Sequence, residues 1–276
     1  MEFKAYKMDG LGNDFIIIDN RDRDKDINLT QDQIIKICDR NFIGCDQLIF
    51  INKSENSDGS LKFFNSDGGI SGACGNGTRC AAELIAKENN KKQIYLSTIS
   101  GNLKSDIMGN NIVTTEIGPA KTKWDQIPLS KELNTKNLNM KIIDIKKNEL
   151  RGGTAINVGN PHIVFFVRDI NSFNIIKIGP EIENHELFPE KINVTLASVV
   201  NKNLIKINVW ERGAGNTKAC GTAACATAVA GKINGLTENN VDIEFLKGKL
   251  SIKIDEKNSI HMTGPVSDIK EINVKL

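Results

Sequence analysis

Two short stretches of the sequence place a cysteine where a glycine-containing loop gives way to small, helix-forming residues. The first contains Ala-Cys74-Gly-Asn-Gly and the second contains Ala-Cys220-Gly-Thr-Ala. A helix N-terminus carries unpaired N–H groups and a partial positive charge, so a thiol there is expected to have a lowered pKa and a carboxylate is expected to bind nearby. Each stretch could therefore supply a base together with a binding site for a carboxylate.

The two cysteines are 146 residues apart, and other landmarks keep nearly the same offset. Gly12-Asn13 and Gly159-Asn160, which each precede an apolar run, are 147 residues apart. The pairs Gly118-Pro119 and Gly264-Pro265 are 146 residues apart. Such dipeptides are common, so coincidence is the alternative, but the shared order and offset favour an internal duplication of domain size.

Two domains related by an approximate two-fold axis would present the cysteine loops to each other across a cleft. Thiols on opposite sides of a ligand can move a proton from one face of a carbon to the other, one as thiolate base and one as thiol acid. A thiolate alone is too weak a base for an amino-acid α-proton, so helix dipoles must stabilise the enolate-like transition state. Cys80 and Cys225 fall inside predicted helices, and we expect them, like Cys38 and Cys45, to be buried packing residues.

The bulk composition is that of a soluble globular protein. The 276 residues are 39% apolar and 25% charged, which suits two domains with ordinary cores. A net charge of +2 with no basic stripe argues against a nucleic-acid or anionic-membrane partner. No apolar stretch approaches a membrane span and the first residues lack the apolar region of a signal peptide, so we expect a cytoplasmic protein. The six cysteines are then expected to be reduced, and neither their spacing nor three scattered histidines predicts a metal site.

Alternating apolar residues and turn signals predict many strands and few helices in each half. The predicted helices lie at 31–41, after Cys74, at 171–186 and at 222–233. The predicted strands lie at 3–8, 14–19, 47–52, 61–64, 93–99, 102–107, 111–117, 154–158, 162–168, 192–200, 204–210, 241–246, 249–254 and 259–263. We expect a last strand after residue 264 to return to the first domain, which gives domains 1–119 plus 265–276 and 120–264. The polar, Lys- and Asn-rich segment 120–150 is expected to supply the connection and a new strand. Gly10-x-Gly12 is weak evidence for a dinucleotide site, because no third glycine opens a helix there.

A set of motifs spread over the chain closely resembles the diaminopimelate epimerase family. The motifs are Gly10-Leu-Gly-Asn-Asp-Phe15, Asp46-Gln-Leu48, Asn65-x-Asp-Gly68, Cys74-Gly-Asn-Gly-Thr-Arg-Cys80, Gly159-Asn-Pro-His162, Asn193-Val194 and Glu211-Arg-Gly-Ala-Gly-x-Thr-x-Ala-Cys-Gly-Thr222. The resemblance implies a cofactor-independent enzyme that interconverts LL- and meso-diaminopimelate for lysine and peptidoglycan synthesis. It also implies an α+β fold of two pseudo-symmetric domains, each a barrel-like, mostly antiparallel sheet around a central helix, and a homodimer.

Carried over by position, the resemblance assigns a role to each matching residue. Cys74 and Cys220 become the acid/base pair, Glu211 accepts from the substrate ammonium, and His162 lies near the thiols. Arg212 becomes the bidentate partner of the distal carboxylate. The residues implied to hold the reacting carboxylate or to line the substrate pocket are Gly75, Asn76, Gly221, Thr222, Asn13, Gln47, Asn65, Asn160 and Asn193. From sequence alone Asn13 and Asn160 could instead be left-handed turn residues, and His162 could be an ordinary packed histidine.

One departure from the family pattern follows Asn193-Val194, where the chain reads Thr195-Leu-Ala-Ser198 and puts details of the pocket wall in doubt. The enzymatic alternatives are the proline and hydroxyproline racemases and other racemases of the same fold. These would not be expected to show so many amide and guanidinium groups for a second amino-acid end. From a different class, the alternative is a thiol redox sensor whose two cysteines form a regulatory disulfide.

Overall fold

The computed structural model describes residues 1–72 and 74–276 and shows two compact units. Unit 1 comprises Met1–Glu116 and Thr263–Leu276, and unit 2 comprises Ile117–Met262. Ala73, which belongs to the first cysteine motif, lies outside the described residues.

Unit 1 consists mainly of strands with two helices. Its helices are α1 (Gln31–Cys38) and α2 (Gly75–Asn89). Its strands are β1 (Glu2–Gly10), β2 (Asn13–Asp19), β3 (Gln47–Asn52), β4 (Gly59–Asn65), β5 (Ile70–Ser71), β6 (Gln93–Thr98), β7 (Gly101–Gly109), β8 (Ile112–Pro119), whose end enters unit 2, and β19 (Lys270–Lys275).

Unit 2 has the same character. Its helices are α3 (Ile175–Glu183) and α4 (Gly221–Ile233), with a short 3-10 turn at Trp124–Gln126. Its strands are β9 (Met140–Ile143), β10 (Glu149–Gly152), β11 (Thr154–Asn157), β12 (Pro161–Phe166), β13 (Asn193–Asn201), β14 (Leu204–Glu211), β15 (Gly215–Thr217), β16 (Asn240–Phe245), β17 (Gly248–Ile254) and β18 (Ser259–Pro265), whose end returns to unit 1.

Strand pairing follows one plan in both units. In unit 1, β2 pairs antiparallel with β1 and parallel with β3, and β4 pairs antiparallel with β3 and β5 and parallel with β6. In unit 2, β12 pairs antiparallel with β11 and parallel with β13, and β14 pairs antiparallel with β13 and β15 and parallel with β16. An antiparallel pair follows in each, β6 with β7 and β16 with β17. The same sequence of pairings in the same order supports the duplication inferred from the 146-residue offset.

Each sheet surrounds one helix rich in small residues. Helix α2 packs against β1 and β2 and also against β6 and β7, while α4 packs against β11 to β13 and against β16 and β17. Because strands far apart in the pairing order contact the same helix, the sheet of each unit curves around it. Every residue of α2 from Gly75 to Ala86 is buried. A Cβ on Gly77 would lie 2.7 Å from Ile49 Cδ1, so glycine allows the first turn of α2 to approach the sheet closely.

Local sequence explains the smaller helix of unit 1. Thr30 caps α1, since its Oγ1 accepts from the Gln33 N–H and the Gln33 side chain accepts from the Thr30 N–H. Ile34, Ile37 and Cys38 are buried, which confirms Cys38 as a core residue. Cys45 packs beside it with a sulfur–sulfur distance of 3.4 Å.

Two details differ from the sequence predictions. Helix α1 ends at Cys38 instead of Asn41, because the chain turns extended at Asp39. The sequence predicts one new strand in region 120–150, whereas the structure has the hairpin β9–β10 there and buries Ile127, Leu129 and Leu138 in the core of unit 2. The last strand, β19, pairs antiparallel with β1 and so lies in unit 1.

Candidate active site

The two cysteines of interest occupy the same local position, one residue before the first turn of the central helix of each unit. Cys74 is the N-cap of α2, with extended backbone (φ −149°, ψ 102°), and Cys220 is the N-cap of α4 (φ −138°, ψ 112°). Cys80 and Cys225 lie inside the helices and are buried, which confirms their role in packing. Burial raises the pKa of the Cys80 thiol well above its ordinary value.

Around Cys74, the structure supplies hydrogen bonds from the first turn of the helix. The Gly77 N–H donates to Cys74 Sγ over 3.4 Å, and the Thr78 N–H donates to the Cys74 carbonyl. A donor aimed at the sulfur stabilises negative charge on it. The Cys74 side chain is half-buried and packs against the apolar core of unit 1.

Cys220 has a different environment. It is buried, and burial together with the Glu211 carboxylate raises the pKa of its thiol well above the ordinary value, although the Thr222 hydroxyl and the Ala223 N–H act in the opposite direction. The sequence expectation that each helix-terminal thiol has a lowered pKa is therefore wrong for Cys220. Removal of the thiol from water beside a carboxylate outweighs the favourable helix dipole here.

The amide side chains predicted for unit 1 form two hydrogen-bonded pairs. Asn76 Nδ2 donates to Asn13 Oδ1 over 3.3 Å. Gln47 Nε2 donates to Asn65 Oδ1 over 2.8 Å, across the pairing of β3 with β4. Among the described residues, Oε1 of Gln47 is buried without a hydrogen-bond partner. Four of the predicted polar residues of unit 1 therefore lie in two contacting pairs.

The corresponding residues of unit 2 are held partly by the backbone. Asn193 Oδ1 accepts from the Arg212 N–H over 3.0 Å, and Asn193 Nδ2 donates to the Pro161 carbonyl over 2.8 Å. The Arg212 guanidinium donates from Nη1 to the Glu190 carbonyl over 2.7 Å. These contacts fix both the turn that carries Arg212 and the amide beside it.

His162 is fully buried on β12, opposite Asn193 on the parallel neighbour β13. Burial and the positive charge of Arg212 lower the pKa of His162 to about 3, so its ring is neutral near pH 7. Its Nε2 lies 2.9 Å from Asn160 Oδ1, and since an amide oxygen only accepts, Nε2–H is the donor. Within the described part of the chain, Nδ1 has no partner.

The turn alternative for the two asparagines is not supported by their backbone. The left-handed conformation falls on the preceding glycines, Gly12 (φ 80°) and Gly159 (φ 108°). Asn13 is the first residue of β2, and Asn160 directly precedes β12. Their side chains are hydrogen-bonded to other predicted site residues, Asn13 to Asn76 and Asn160 to His162. The glycines make the turn, and the asparagines are left to make side-chain contacts.

The turn between β14 and β15 carries Glu211 and Arg212. Glu211 accepts from the Thr217 hydroxyl, and the Ala214 N–H donates to the Glu211 carbonyl. Beneath the turn, the buried Glu183 carboxylate accepts from Trp210 Nε1 over 2.6 Å and from the Gly213 N–H over 3.2 Å. Sequence reasoning does not single out Glu183, since nothing in its local motif distinguishes it from a surface acid at the end of a helix.

Two further charged residues contact predicted site residues of unit 1. Arg79 is completely buried and donates from Nη2 to Asn76 Oδ1 over 3.0 Å. Asp46 Oδ2 accepts from Asn13 Nδ2 over 2.9 Å. Both residues lie within motifs noted in the sequence, and an arginine in the middle of an alanine-rich helix is the signal that could have drawn attention to the first.

The segment that departs from the family pattern lies inside β13. Thr195 is fully buried beside Leu196 and Ala197, and Thr195 Oγ1 has no hydrogen-bond partner among the residues that the structure describes. Leu196 belongs to the core cluster of unit 2. These residues therefore pack within the unit.

Comparison with known proteins gives a family for this arrangement. The family model described as diaminopimelate epimerase matches residues 5–123 and 154–269. A diaminopimelate epimerase from Pelagibacter ubique is 66% identical over 276 residues, which cover 100% of both chains. The chain belongs to the diaminopimelate epimerase family.

More distant comparisons agree with this membership. A diaminopimelate epimerase from Caulobacter vibrioides is 39% identical, covering 95% of this chain and 93% of that protein. The crystal structure of a hydroxyproline epimerase from Agrobacterium vitis, with bound trans-4-hydroxy-L-proline, aligns with a TM-score of 0.71 at 12% identity over 99% of this chain and 92% of that one. At that identity the likeness concerns the fold, and it confirms the predicted two-domain α+β architecture. Among the described helices of this family member, none has the length and apolar character needed to cross a membrane.

Proposed function

We propose that this member of the diaminopimelate epimerase family interconverts LL- and meso-diaminopimelate by proton transfer between two thiols. The observation that carries the proposal is the repeated placement of a cysteine as N-cap of the central helix in each unit. In a two-base reaction, the thiolate of one cysteine removes the α-proton, and the thiol of the other delivers a proton to the opposite face of the same carbon. After the reaction, the cysteine that acted as base is a thiol and the cysteine that acted as acid is a thiolate.

The raised pKa of Cys220 supports one choice of starting roles for the two cysteines. Its thiol is protonated near pH 7 because of burial and the Glu211 carboxylate, so we propose that Cys220 is the acid in the resting enzyme. Cys74, whose sulfur accepts the Gly77 N–H, is then the base. The reverse reaction uses the two residues in the opposite sense.

Carboxylate binding at the helix N-termini supplies the remaining stabilisation. The first N–H groups of a helix have no carbonyl partner within the helix, so those of Gly75, Asn76, Gly221 and Thr222 are suited to hold the carboxylate on which negative charge accumulates. Removing one such donor from an oxyanion site typically lowers kcat by about 100-fold to 1,000-fold. This stabilisation of the developing negative charge by the helix N–H groups allows a thiolate to remove a weakly acidic α-proton.

The distal end of the substrate carries a second ammonium and carboxylate. We propose that Arg212 pairs with that carboxylate and that Glu211 accepts from a substrate ammonium, with Asn13, Gln47, Asn65, Asn160 and Asn193 as further polar contacts. Neutral His162 supports Asn160 through its Nε2–H donor. This collection of charges suits a substrate with two amino-acid ends better than proline.

A substrate panel in deuterated water tests the proposal. LL-diaminopimelate, meso-diaminopimelate, proline and lysine are incubated with the protein without added cofactor, and stereoisomers and deuterium at the α-carbon are measured after chiral separation. We expect exchange and interconversion with the two diaminopimelates alone, unchanged by a chelator. Turnover of proline would favour a proline racemase, and absence of any α-exchange would favour a thiol sensor.

We also propose that the protein is a cytoplasmic homodimer. Light scattering coupled to size exclusion would test the dimer through its molar mass.

A further inference from the structure

A directed chain of hydrogen bonds in unit 1 ends in two charged residues that the proposed mechanism does not use. Arg79 Nη2 donates to Asn76 Oδ1 over 3.0 Å, Asn76 Nδ2 donates to Asn13 Oδ1 over 3.3 Å, and Asn13 Nδ2 donates to Asp46 Oδ2 over 2.9 Å. The chain therefore runs from a cation through two predicted substrate-contacting amides to a carboxylate.

The chemistry of the two ends determines the direction of every bond between them. A guanidinium has donors and no acceptor, so the atom of Asn76 that faces Arg79 must be its oxygen. The Asp46 carboxylate accepts from two other donors as well, the Arg40 guanidinium over 2.6 Å and the Asp14 N–H over 3.1 Å. The atom of Asn13 that faces Asp46 must then be its nitrogen. An amide can otherwise rotate by half a turn and exchange donor for acceptor, and here both rotations would create a clash of like groups.

Burial makes the first of these constraints strong. The Arg79 side chain has no exposed surface, and Asn76 is 1% exposed. A Cβ on Gly10 would lie 3.3 Å from Arg79 Nη2, so the backbone of β1 packs directly over the guanidinium. Rotating the Asn76 amide would aim an N–H group at a cation that water cannot reach, which is strongly unfavourable.

The consequence appears at Asn13, which is the more exposed of the two amides. Its Oδ1 is occupied by Asn76 and one Nδ2 hydrogen by Asp46. The second Nδ2 hydrogen has no acceptor among the described residues. Asn13 thus presents its second N–H as a donor of fixed direction, which is suited to a carboxylate oxygen of a ligand.

We infer that Arg79 and Asp46 are positioning residues that fix the Asn13 amide as a hydrogen-bond donor for a substrate carboxylate. This inference rests on the proposed function, because it is there that Asn13 contacts the substrate. Neither charged residue touches the substrate; each acts through the amide next to it. Asn76, held in the same chain, keeps the first turn of α2 in place beside Cys74.

A double-mutant cycle between Asp46 and Asn13 tests the inference in the full-length protein. Asp46→Ala removes the acceptor that orients Asn13, and Asn13→Ala removes the oriented group. We expect each single variant to raise KM for diaminopimelate about tenfold with little change in kcat, since a contact made equally in the ground and transition states affects KM alone. We expect the double variant to be no worse than Asn13→Ala, because the two residues act through one contact. Additive effects, or a loss confined to kcat, would overturn the inference.

Arg40→Ala is the matched control. It removes the ion pairs of Arg40 with Asp14 and Asp46 but leaves the amide chain intact. We expect its KM to stay within about twofold of wild type, and a rise equal to that of Asp46→Ala would assign the effect to the surface ion pair.

The buried end of the hydrogen-bond chain is tested by comparing Arg79→Lys, which keeps a donor-only group, with Arg79→Met. If both variants fold, the KM of Arg79→Lys should lie closer to wild type than that of Arg79→Met. Equal KM values would contradict the inference. If Arg79→Met does not fold, the cycle between Asp46 and Asn13 decides.

The activity of the wild-type protein distinguishes failure of the proposed function from failure of the positioning role of Asp46 and Arg79. A wild-type protein that does not turn over diaminopimelate disproves the proposed function, whatever the variants do. A wild-type protein that is active, with Asp46→Ala and Asn13→Ala acting independently, leaves the proposed function standing and disproves the positioning role.

Discussion

The two cysteine loops share a backbone plan and differ in the charges around them. Each loop ends in a cysteine at the N-cap position of a buried helix, and each follows a strand paired in the same manner. Cys74 is half-buried and accepts a backbone N–H at its sulfur, whereas Cys220 is buried beside a carboxylate that raises the pKa of its thiol. The duplicated backbone gives both thiols the same place at a helix N-terminus, and burial with the diverged side chains raises the pKa of Cys220.

The same divergence affects the amides. The 146-residue offset relates Arg79 to Cys225 and Asp46 to Ile192, so neither charged end of the unit 1 chain has a charged counterpart in unit 2. In unit 2 the amide of Asn193 is oriented by backbone groups instead. Asn13 and Asn76 of unit 1 are thus oriented by charged side chains, and Asn193 of unit 2 by main-chain groups.

The largest expected effect comes from removing either thiol. Cys74→Ala and Cys220→Ala should each lower kcat by about a thousandfold or more, because each deletes one of the two proton carriers. Cys80→Ala and Cys225→Ala are matched controls from the same helices and should stay within about threefold. Activity is measured as diaminopimelate interconversion by chiral separation. If either of the first two variants keeps near-normal turnover, the loops are not the two halves of one acid/base pair.

A substitution at the distal contact should have the next largest effect. Arg212→Lys keeps the charge but loses the planar fork that can bind a carboxylate through two parallel bonds, so kcat/KM should fall about a hundredfold. Arg151→Lys, at an arginine paired with Glu149 on the surface, is the control and should be neutral. Wild-type kinetics in the Arg212 variant would remove it from the substrate site.

Stability at low pH tests the difference between His162 and its unit 1 counterpart, Phe15, which holds the same place in the parallel pairing. The pKa of His162 is about 3 in the folded protein, and the ordinary value is near 6.5. Below pH 6.5 the unfolded chain therefore takes up a proton that the folded chain does not, and stability is lost as pH falls. Between pH 7.5 and 5 this residue should account for about 2 kcal/mol of the lost free energy of unfolding.

His162→Phe should remove that share of the pH dependence. Urea unfolding at the two pH values gives the difference directly, and other titrating groups cancel because both proteins contain them. An identical loss in wild type and variant would show that His162 titrates normally and that its burial has no electrostatic consequence.

The smallest expected effect is a change in thiol reactivity without a change in fold. Glu211→Gln removes the negative charge that raises the pKa of Cys220, so alkylation of Cys220 by iodoacetamide should begin at lower pH than in wild type. Cys74, quantified from the same digest by mass spectrometry, should keep its pH profile. A shift at Cys74 in place of Cys220 would reverse the assignment of the carboxylate to one loop.

Much of the architecture follows from local sequence signals. Glycine turns, alternating apolar residues and the Ala-rich stretches after the two cysteines locate nearly all of the longer elements, because each signal reflects a local backbone or burial requirement. The two-residue strand β5 and the three-residue strand β15 have no periodicity to reveal them. The hairpin β9–β10 is obscured by a polar, Lys- and Asn-rich sequence whose apolar residues are widely spaced.

The environment of each candidate site residue is less accessible from sequence. A helix N-terminus predicts a lowered thiol pKa, yet the burial of Cys220 and its carboxylate neighbour depend on how β14 and β15 pair, which is a long-range property. For the same reason a motif can contain Arg79 and Asp46 without showing that their side chains end one hydrogen-bond chain. Spacing identifies candidates, and tertiary contacts decide their protonation and orientation.

Strand β19 has a consequence for how the chain folds during synthesis. It pairs with β1 across almost the whole sequence, with Phe3 opposite Val274 and Ala5 opposite Ile272. Because all of unit 2 is translated before β19, unit 2 can fold while the sheet of unit 1 still lacks β19. During that interval β1 is an open sheet edge, the kind of surface on which other chains can add a strand. Glu2 and Lys4 place charged side chains along β1, the kind of residue that disfavours such pairing at an edge.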